Sequence, residues 1–354
     1  MITASHNPIA YNGFKIFNAK GESLEDSSTL QSSTKKPRAS AHEWSSIRDE
    51  YPEDYERRLS TIKFNKKWRV ILDPGNGATS RLAPRIYRGT VSKATAINSH
   101  PDGRYPGRGP EPTRESLTML SRVVSETKAD IGIAFDGDGD RFYIVDEKGE
   151  CPLQDRILAS YVSFLSRESK GPFLVPVDAS MAVDEAVARN GATLIRGPVG
   201  DAKLLAEMKK EKASFAGEPS GAWIHGDFHP CPDGLLSGLL YLKQLEQLNI
   251  TVSSAVTAIP EYHMVRKSVA ISKKAPNVNV RSLSLGLEKI VGPDSNTDSR
   301  YGIRVSSPAS WVLVRESGTE PVVRVTAESK DAASVKRIVK DTLELINRLF
   351  KGRD

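Results

Sequence analysis

Short apolar runs alternate along this chain with polar turns and with stretches of helical periodicity. Trp68-Arg-Val-Ile-Leu72 is an apolar run that stops at Asp73-Pro-Gly-Asn-Gly77, which predicts a strand running into a turn, with residues 78–88 helical behind it. A Pro/Gly-rich loop from His100 to Thr113 leads to a predicted helix over residues 114–127. Strands follow at Asp130 to Phe135 and Phe142 to Val145, with an acidic loop between them. The same grammar restarts at Phe173-Leu-Val-Pro-Val177, continues as a helical stretch to Asn190, and gives another strand from Ala192 to Ile195. The stretches 68–88 and 173–190 read as one α/β design used twice, on grammar rather than identity. Alternating strands and helices call for parallel or mixed sheets covered by helices. The end of the chain differs. Strands at Trp311–Val314 and Val322–Ala327 surround a tight loop, and a helix over 331–350 carries Val335, Ile338, Val339, Leu345, Ile346 and Leu349 on one face, which predicts a small α+β domain.

At 354 residues the chain exceeds one core of usual size, so two to four domains are expected. A content of 38% hydrophobic and 27% charged residues is that of a soluble globular protein. No apolar run approaches the roughly 20 residues that span a bilayer, and the first residues lack the pattern of a secretory signal. Two cysteines, Cys151 and Cys231, make no disulfide framework and fit a reducing compartment, so a cytoplasmic location is expected. A net charge of +6 suits an anionic partner, whether nucleic acid or phosphorylated metabolite. The densest basic cluster, Lys35-Lys36-Pro37-Arg38, has no interleaved aromatics and sits in a Ser/Thr-rich stretch from Gly21 to Ser46 that reads as a loop.

Four loops carry residues suited to chemistry. Thr3-Ala-Ser-His-Asn-Pro8, followed by Tyr11-Asn-Gly-Phe-Lys15, can present the Ser5 hydroxyl at a loop tip, with His6 and Lys15 able to move a proton or offset negative charge. A lone Ser-His pair equally suits a structural turn. Asp136-Gly-Asp-Gly-Asp-Arg141 places three carboxylates at alternate positions, a pattern for a hard cation with oxygen ligands. An EF-hand is excluded there, because its sixth position requires glycine and holds Arg141, and the flanks read as strands. Gly217-Glu-Pro-Ser-Gly221 offers a carboxylate and a hydroxyl to sugar hydroxyls, and alone is also an ordinary turn. Arg315-Glu-Ser-Gly-Thr-Glu-Pro321, with Arg324 beyond, combines a guanidinium fork with hydroxyls and a turn able to aim N–H groups at an anion, without a Walker loop's Gly-Lys-Ser/Thr.

In that order the four loops resemble the α-D-phosphohexomutase family. Asp73-Pro-Gly-Asn-Gly-Ala78, Pro101-Asp-Gly-Arg-Tyr-Pro106 with Pro110-Glu-Pro112, and Gly197-Pro-Val-Gly-Asp201 agree, and the resemblance runs from Thr3 to the last helix. It implies a multi-domain α/β architecture around a cleft: three related α/β domains, the first incomplete, and a C-terminal α+β domain. On that map domain I is 1–60, domain II 61–168, domain III 169–256 and domain IV 257–354. Ser5 would be the phosphorylated nucleophile, with His6, Lys15 and Arg141 as further catalytic residues. Ser5, Asp136, Asp138 and Asp140 would hold Mg²⁺. Gly200, Asp201, Glu218 and Ser220 would meet the sugar, and Arg315, Ser317, Gly318, Thr319 and Arg324 the phosphate that does not react. The implied reaction interconverts sugar 1- and 6-phosphates through phosphoserine and a sugar bisphosphate, the bisphosphate also serving as activator. The expected partner is a phosphorylated hexose or hexosamine, with neither nucleic acid nor membrane, and the chain is expected to be a monomer or homodimer.

Two departures from the family pattern stand out. Met1-Ile2 falls where the family has the end of the strand entering the serine loop, so an N-terminally truncated first domain is expected. Where many members have histidine after the sugar loop, this chain has Ala222-Trp223, with His225 and His229 later. The alternatives are a truncated, non-catalytic sugar-phosphate-binding protein, a metal-dependent phosphatase using the same residues, and a nucleic-acid-binding module supported by charge alone. Val199-Gly-Asp201 resembles the phosphoglucosamine mutase branch, in which Asp201 would meet a 2-amino group; the competing reading makes Asp201 the cap of a helix beginning near Lys203.

Overall fold

A computed structural model describes residues 1–24, 53–270, 280–317 and 322–351. Most of the Gly21–Ser46 stretch, with its Lys35–Arg38 cluster, lies outside the described residues, as do Gly318 and Thr319. In chain order the first elements are α1 (Glu53–Leu59), β1 (Arg69–Asp73), α2 (Leu82–Thr90), β2 (Lys93–Ala96), α3 (Thr118–Thr127), β3 (Ile131–Phe135) and β4 (Phe142–Val145). Next come α4 (Gln154–Glu168), β5 (Phe173–Pro176), α5 (Ala182–Ala188), β6 (Leu194–Gly197), α6 (Asp201–Lys210), β7 (Phe215–Gly217), β8 (Trp223–His225), α7 (Gly234–Leu248) and α8 (Val252–Thr257). The chain finishes with β9 (His263–Ala270), α9 (Val280–Val291), β10 (Asn296–Asp298), β11 (Ile303–Ser306), β12 (Ser310–Glu316), β13 (Val322–Ser329) and α10 (Ala332–Lys351). By packing the chain divides into two units: Met1–Pro152 with Gly221–Ser253, and Leu153–Ser220 with Ser254–Asp354. No helix among the described residues is long and apolar enough to cross a membrane.

The first unit is built on a sheet of order β2-β1-β3-β4, parallel except for the β3–β4 pair. Its two faces follow the two-residue period of a strand. Ile71, Ala134 and Val145 pack with Leu117, Leu120 and Val124 on the α3 side. A Cβ added at Gly238 of α7 would meet Ile133 at 3.3 Å, so the other face is covered by α7. Burial on both faces explains why β1 and β3 read as continuous apolar runs rather than alternating ones. α3 begins at Thr118 and not at residue 114, because Thr113 and Ser116 exchange side-chain and backbone bonds (Thr113 N to Ser116 Oγ, 2.8 Å; Ser116 N to Thr113 Oγ1, 3.2 Å) that hold a separate turn.

In the second unit β5 pairs in parallel with β6 on one side and β7 on the other, the arrangement β1 has with β2 and β3. The design read twice in the sequence is thus the same topology twice. The C-terminal part of this unit is a sheet of order β10-β11-β12-β13-β9 whose β-ladder is antiparallel throughout. Val305, Val312, Val325 and Ala327 face Val335, Ile338, Val339 and Ile346 of α10 and Leu287 of α9. Each fully buried Val, Ile or Leu there contributes about 1.5–3 kcal/mol. The predicted apolar stripe is therefore core.

Candidate active site

Residues 1–15 fold back on themselves, with Thr3 N donating to Gly13 O at 3.0 Å and Lys15 N to Met1 O at 2.9 Å. That fold brings Ser5 and Lys15 together at the acidic loop between β3 and β4. Ser5 has φ 53, a left-handed conformation uncommon for a residue with a Cβ and found where a side chain must be presented from a sharp turn. Its Oγ lies 3.1 Å from Asp136 Oδ2 and 3.2 Å from His6 Nδ1. Thr3 Oγ1 accepts from Ser5 N at 2.8 Å and donates to Asp138 Oδ2 at 3.0 Å, tying the serine turn to the acidic loop.

The three aspartates are not equivalent. Asp136 is wholly buried, and its Oδ1 accepts from Gly139 N (3.0 Å) and Arg141 N (3.1 Å), so it shapes the loop while Oδ2 faces Ser5. Burial, then the charges of Asp140 and Asp138, push the Asp136 carboxyl up. Burial and Asp138 also raise Asp140. Burial would raise Asp138 too, but the charge and hydrogen bond of Lys15 hold it down. Lys15 Nζ lies 3.0 Å from Asp138 Oδ2 and pairs with Asp140, and these contacts keep the ammonium charged against its burial. Arg141 Nε is 4.0 Å from Asp140 Oδ1. Burial, then the charge of Arg141, lowers the His6 pKa and leaves a neutral imidazole beside the serine.

The donor set fits a hard divalent cation. One oxygen from each of Asp136, Asp138 and Asp140 falls within 4.8 Å of the others. Asp138 Oδ1 and Asp140 Oδ1 are buried without a hydrogen-bond partner, a costly state for carboxylate oxygens that a cation would relieve.

The Asp73–Ala78 motif supports this loop. Ala78 N donates to Gly137 O at 2.9 Å, and a Cβ at Gly77 would come within 2.5 Å of that oxygen, so only glycine permits the approach. Below it Arg108 is buried: Nε bonds Asp73 Oδ2 at 3.0 Å, while Nη2 bonds the carbonyls of Asp73 (2.9 Å) and Phe135 (2.6 Å) at the ends of β1 and β3. Gly75, at φ 55, leaves room for the guanidinium, which a Cβ would meet at 2.6 Å. From the other side Gly234 N, at the start of α7, donates to Gly139 O at 3.1 Å.

The second unit gathers the other predicted residues into two groups. Glu218 is buried at the end of β7; its Oε1 accepts from Gly200 N at 2.8 Å and its Oε2 from Ser220 Oγ at 3.0 Å. Gly200, Glu218 and Ser220 thus form one cluster at the start of α6. Gly200 occupies the helix cap with φ 110, and Asp201 is the first helical residue. The reading of Asp201 as the cap of a helix beginning near Lys203 is therefore corrected: glycine's access to positive φ puts the helix start two residues earlier. In the second group Arg315 and Arg324 stand directly opposite on β12 and β13, an unfavourable like-charge pair that an anion would relieve. Asp178 Oδ2 lies 3.6 Å from Arg315 Nη2. Ser317 N donates to Val322 O at 2.9 Å, closing the hairpin.

Sequence reasoning missed Thr3 and Arg108. The alternate-position hydroxyl of Thr3 was a usable signal; Arg108, in a Pro/Gly-rich loop, carried none. His225 is buried against Ser237 Oγ at 3.0 Å, and burial lowers its pKa to about 3.

Known proteins resemble this chain along its length. The four phosphoglucomutase/phosphomannomutase domain descriptions match in order: alpha/beta/alpha domain I at residues 1–38, domain II at 49–149, domain III at 154–262 and the C-terminal domain at 277–345. The probable phosphoglucosamine mutase of Methanothermobacter thermautotrophicus is 37% identical over 346 residues, 96% of this chain and 76% of its own. A phosphoglucomutase/phosphomannomutase family protein of Burkholderia thailandensis superposes with a TM-score of 0.79 at 24% identity, covering 100% of this chain and 76% of that one. The N-acetylphosphoglucosamine mutase of Aspergillus fumigatus, solved with GlcNAc-6P and magnesium, gives a TM-score of 0.66 at 17% identity over 99% of this chain and 88% of that one. These two structures bear on the fold. Four domains matched in order, with a relative aligned over nearly the whole chain, mean that this protein belongs to the phosphoglucomutase/phosphomannomutase family, the α-D-phosphohexomutases.

Proposed function

We propose that the chain is a phosphohexomutase that moves a phosphoryl group between the 1- and 6-hydroxyls of a sugar, with Ser5 as the carrier. The observation that carries this reading is the Ser5 hydroxyl 3.1 Å from Asp136, in a loop where two further carboxylates each keep a buried oxygen without a hydrogen-bond partner. Asp136, Asp138 and Asp140 would hold Mg²⁺ together with a phosphoryl oxygen on Ser5. A bound Mg²⁺ supplies charge neutralisation for the phosphoryl group in flight. Lys15 adds a fixed positive charge beside the same carboxylates. His6, neutral and 3.2 Å from Oγ, relays the proton between the incoming sugar hydroxyl and Oγ. Arg141 helps keep that imidazole uncharged.

In the second unit, Glu218 and Ser220 receive sugar hydroxyls, and the Arg315/Arg324 pair holds the phosphate that is not reacting. One such anion site serves both orientations, because the bisphosphate intermediate carries phosphate at both ends, and added sugar bisphosphate would recharge Ser5. Losing a bidentate phosphate contact removes about 1.5–3 kcal/mol, so Arg315→Ala is expected to lower kcat/KM by roughly ten- to a hundredfold. Binding of an unphosphorylated sugar analogue should be unchanged; an equal loss there would make Arg315 structural.

The substrate proposed first is a hexosamine phosphate, with mannose or glucose phosphate second. Asp201 in the first turn of α6, next to the Glu218 cluster, suits a 2-amino group, and the relative aligned over 96% of the chain is named for phosphoglucosamine. A charge-assisted contact of this kind gives about tenfold discrimination or more. The test compares kcat/KM for glucosamine 6-phosphate, mannose 1-phosphate and glucose 1-phosphate, and preference for either neutral sugar would end the hexosamine reading. A binding protein without turnover is not favoured, since the nucleophile, its imidazole and all three carboxylates are assembled.

A further inference from the structure

Between β8 and α7 the segment His229-Pro-Cys-Pro-Asp233 builds a second polar cluster that phosphoryl transfer does not use. Cys231 Sγ lies 3.1 Å from His229 Nδ1, and His229 Nε2 lies 2.8 Å from Asp233 Oδ2. Asp233 is buried and fixed: the same oxygen accepts the Tyr55 hydroxyl at 2.8 Å, and Oδ1 caps α7 through Leu236 N at 3.0 Å. With Nε2–H committed to the carboxylate, Nδ1 is the nitrogen available to the thiol proton. Burial works against a charged His229, yet its bonds to Asp233 and Cys231 outweigh it and raise the imidazole to about 10, so a proton taken from the thiol is held as imidazolium beside a thiolate. The prolines on either side of Cys231 restrict the backbone that presents the sulfur, which is partly exposed. A thiol, an imidazole and an orienting carboxylate in series are the arrangement that activates a cysteine nucleophile.

We propose that Cys231 is a reactive thiol, a modification site for soft carbon electrophiles and hydroperoxides, activated by His229 as oriented by Asp233. The thiol proton passes to His229 Nδ1, and the sulfur electron pair attacks. With iodoacetamide a carbon–sulfur bond forms and iodide leaves. With hydrogen peroxide a sulfur–oxygen bond forms, the O–O bond breaks, and the leaving hydroxide takes the proton from His229 as water. Cys231 is then a sulfenic acid, oxidised by the two electrons that reduce the peroxide.

The other cysteine is an internal control. Cys151 Sγ donates to Ile144 O at 3.7 Å, and burial pushes its thiol up to about 11. The intact chain is treated with iodoacetamide near neutral pH, and both cysteine peptides are followed by mass spectrometry. Cys231 should react at least about tenfold faster than Cys151, and His229→Gln should slow Cys231 by about tenfold. After hydrogen peroxide, dimedone should trap Cys231 and not Cys151. Comparable rates at the two cysteines of the unaltered protein would overturn the proposal without recourse to a variant. So would an unchanged Cys231 rate in a His229→Gln protein of unaltered circular dichroism.

Discussion

Ser5→Ala is expected to lower kcat by at least about three orders of magnitude, the scale seen when a covalent nucleophile is removed, while the fold stays intact. The Ser5 side chain contributes two contacts, to Asp136 and His6, and its backbone is held separately through Thr3. The alanine variant keeps the carboxylates, Lys15 and the two arginines proposed to hold phosphate, Arg315 and Arg324, so it should still bind sugar phosphate. Unaltered circular dichroism with turnover lost is the expected pair of results. Turnover within tenfold of the unaltered protein would remove Ser5 from the reaction.

The largest expected effect on stability comes from Arg108→Ala. The Arg108 and Asp73 side chains are 2% and 1% exposed, so removing the guanidinium leaves a carboxylate and two strand-end carbonyls without their partner in the interior. Breaking a buried ion pair in this way costs about 3–5 kcal/mol. At about 2–4 °C per kcal/mol for a unit of this size, Tm should fall by roughly 6–20 °C. Mg²⁺ affinity should fall as well, because Arg108 anchors the carbonyl of Phe135 immediately before Asp136. A change below about 1 kcal/mol in denaturant unfolding would show that water replaces the guanidinium.

The elements that sequence patterning located carry a strong local signal, among them β1, an apolar run ending in a Pro/Gly turn, β5, an apolar run from Phe173 to Val177, and α10, with its single apolar stripe. It passed over α7, where Leu235, Leu236, Leu239, Tyr241, Leu242, Leu245 and Gln244 are all buried, so burial nearly all round erases the 3.6-residue contrast. It passed over β9 as well, whose pattern is mostly exposed and half-exposed positions. The candidate site was legible loop by loop, since each motif is contiguous. Which loops share a unit was not, because the contact of residues 1–15 with the acidic loop spans more than a hundred positions and leaves no periodic trace. The unequal roles of the three aspartates were equally hidden: only the folded loop turns Asp136 Oδ1 onto its own backbone and leaves Oδ2 for Ser5. Arg108 depends on the same kind of distant encounter, with a carboxylate thirty-five positions earlier.

In the proposed reaction Ser5 carries the phosphoryl group between two positions of one sugar. The most direct measurement is transfer of labelled phosphate from hexosamine 1,6-bisphosphate to the protein in the presence of Mg²⁺, with the labelled peptide mapped and then chased with unlabelled monophosphate. Label is expected on the peptide containing Ser5, returning to sugar at a rate no slower than turnover. Isomerised product formed while that peptide stays unlabelled, or label on Ser5 that the chase does not remove, would contradict it.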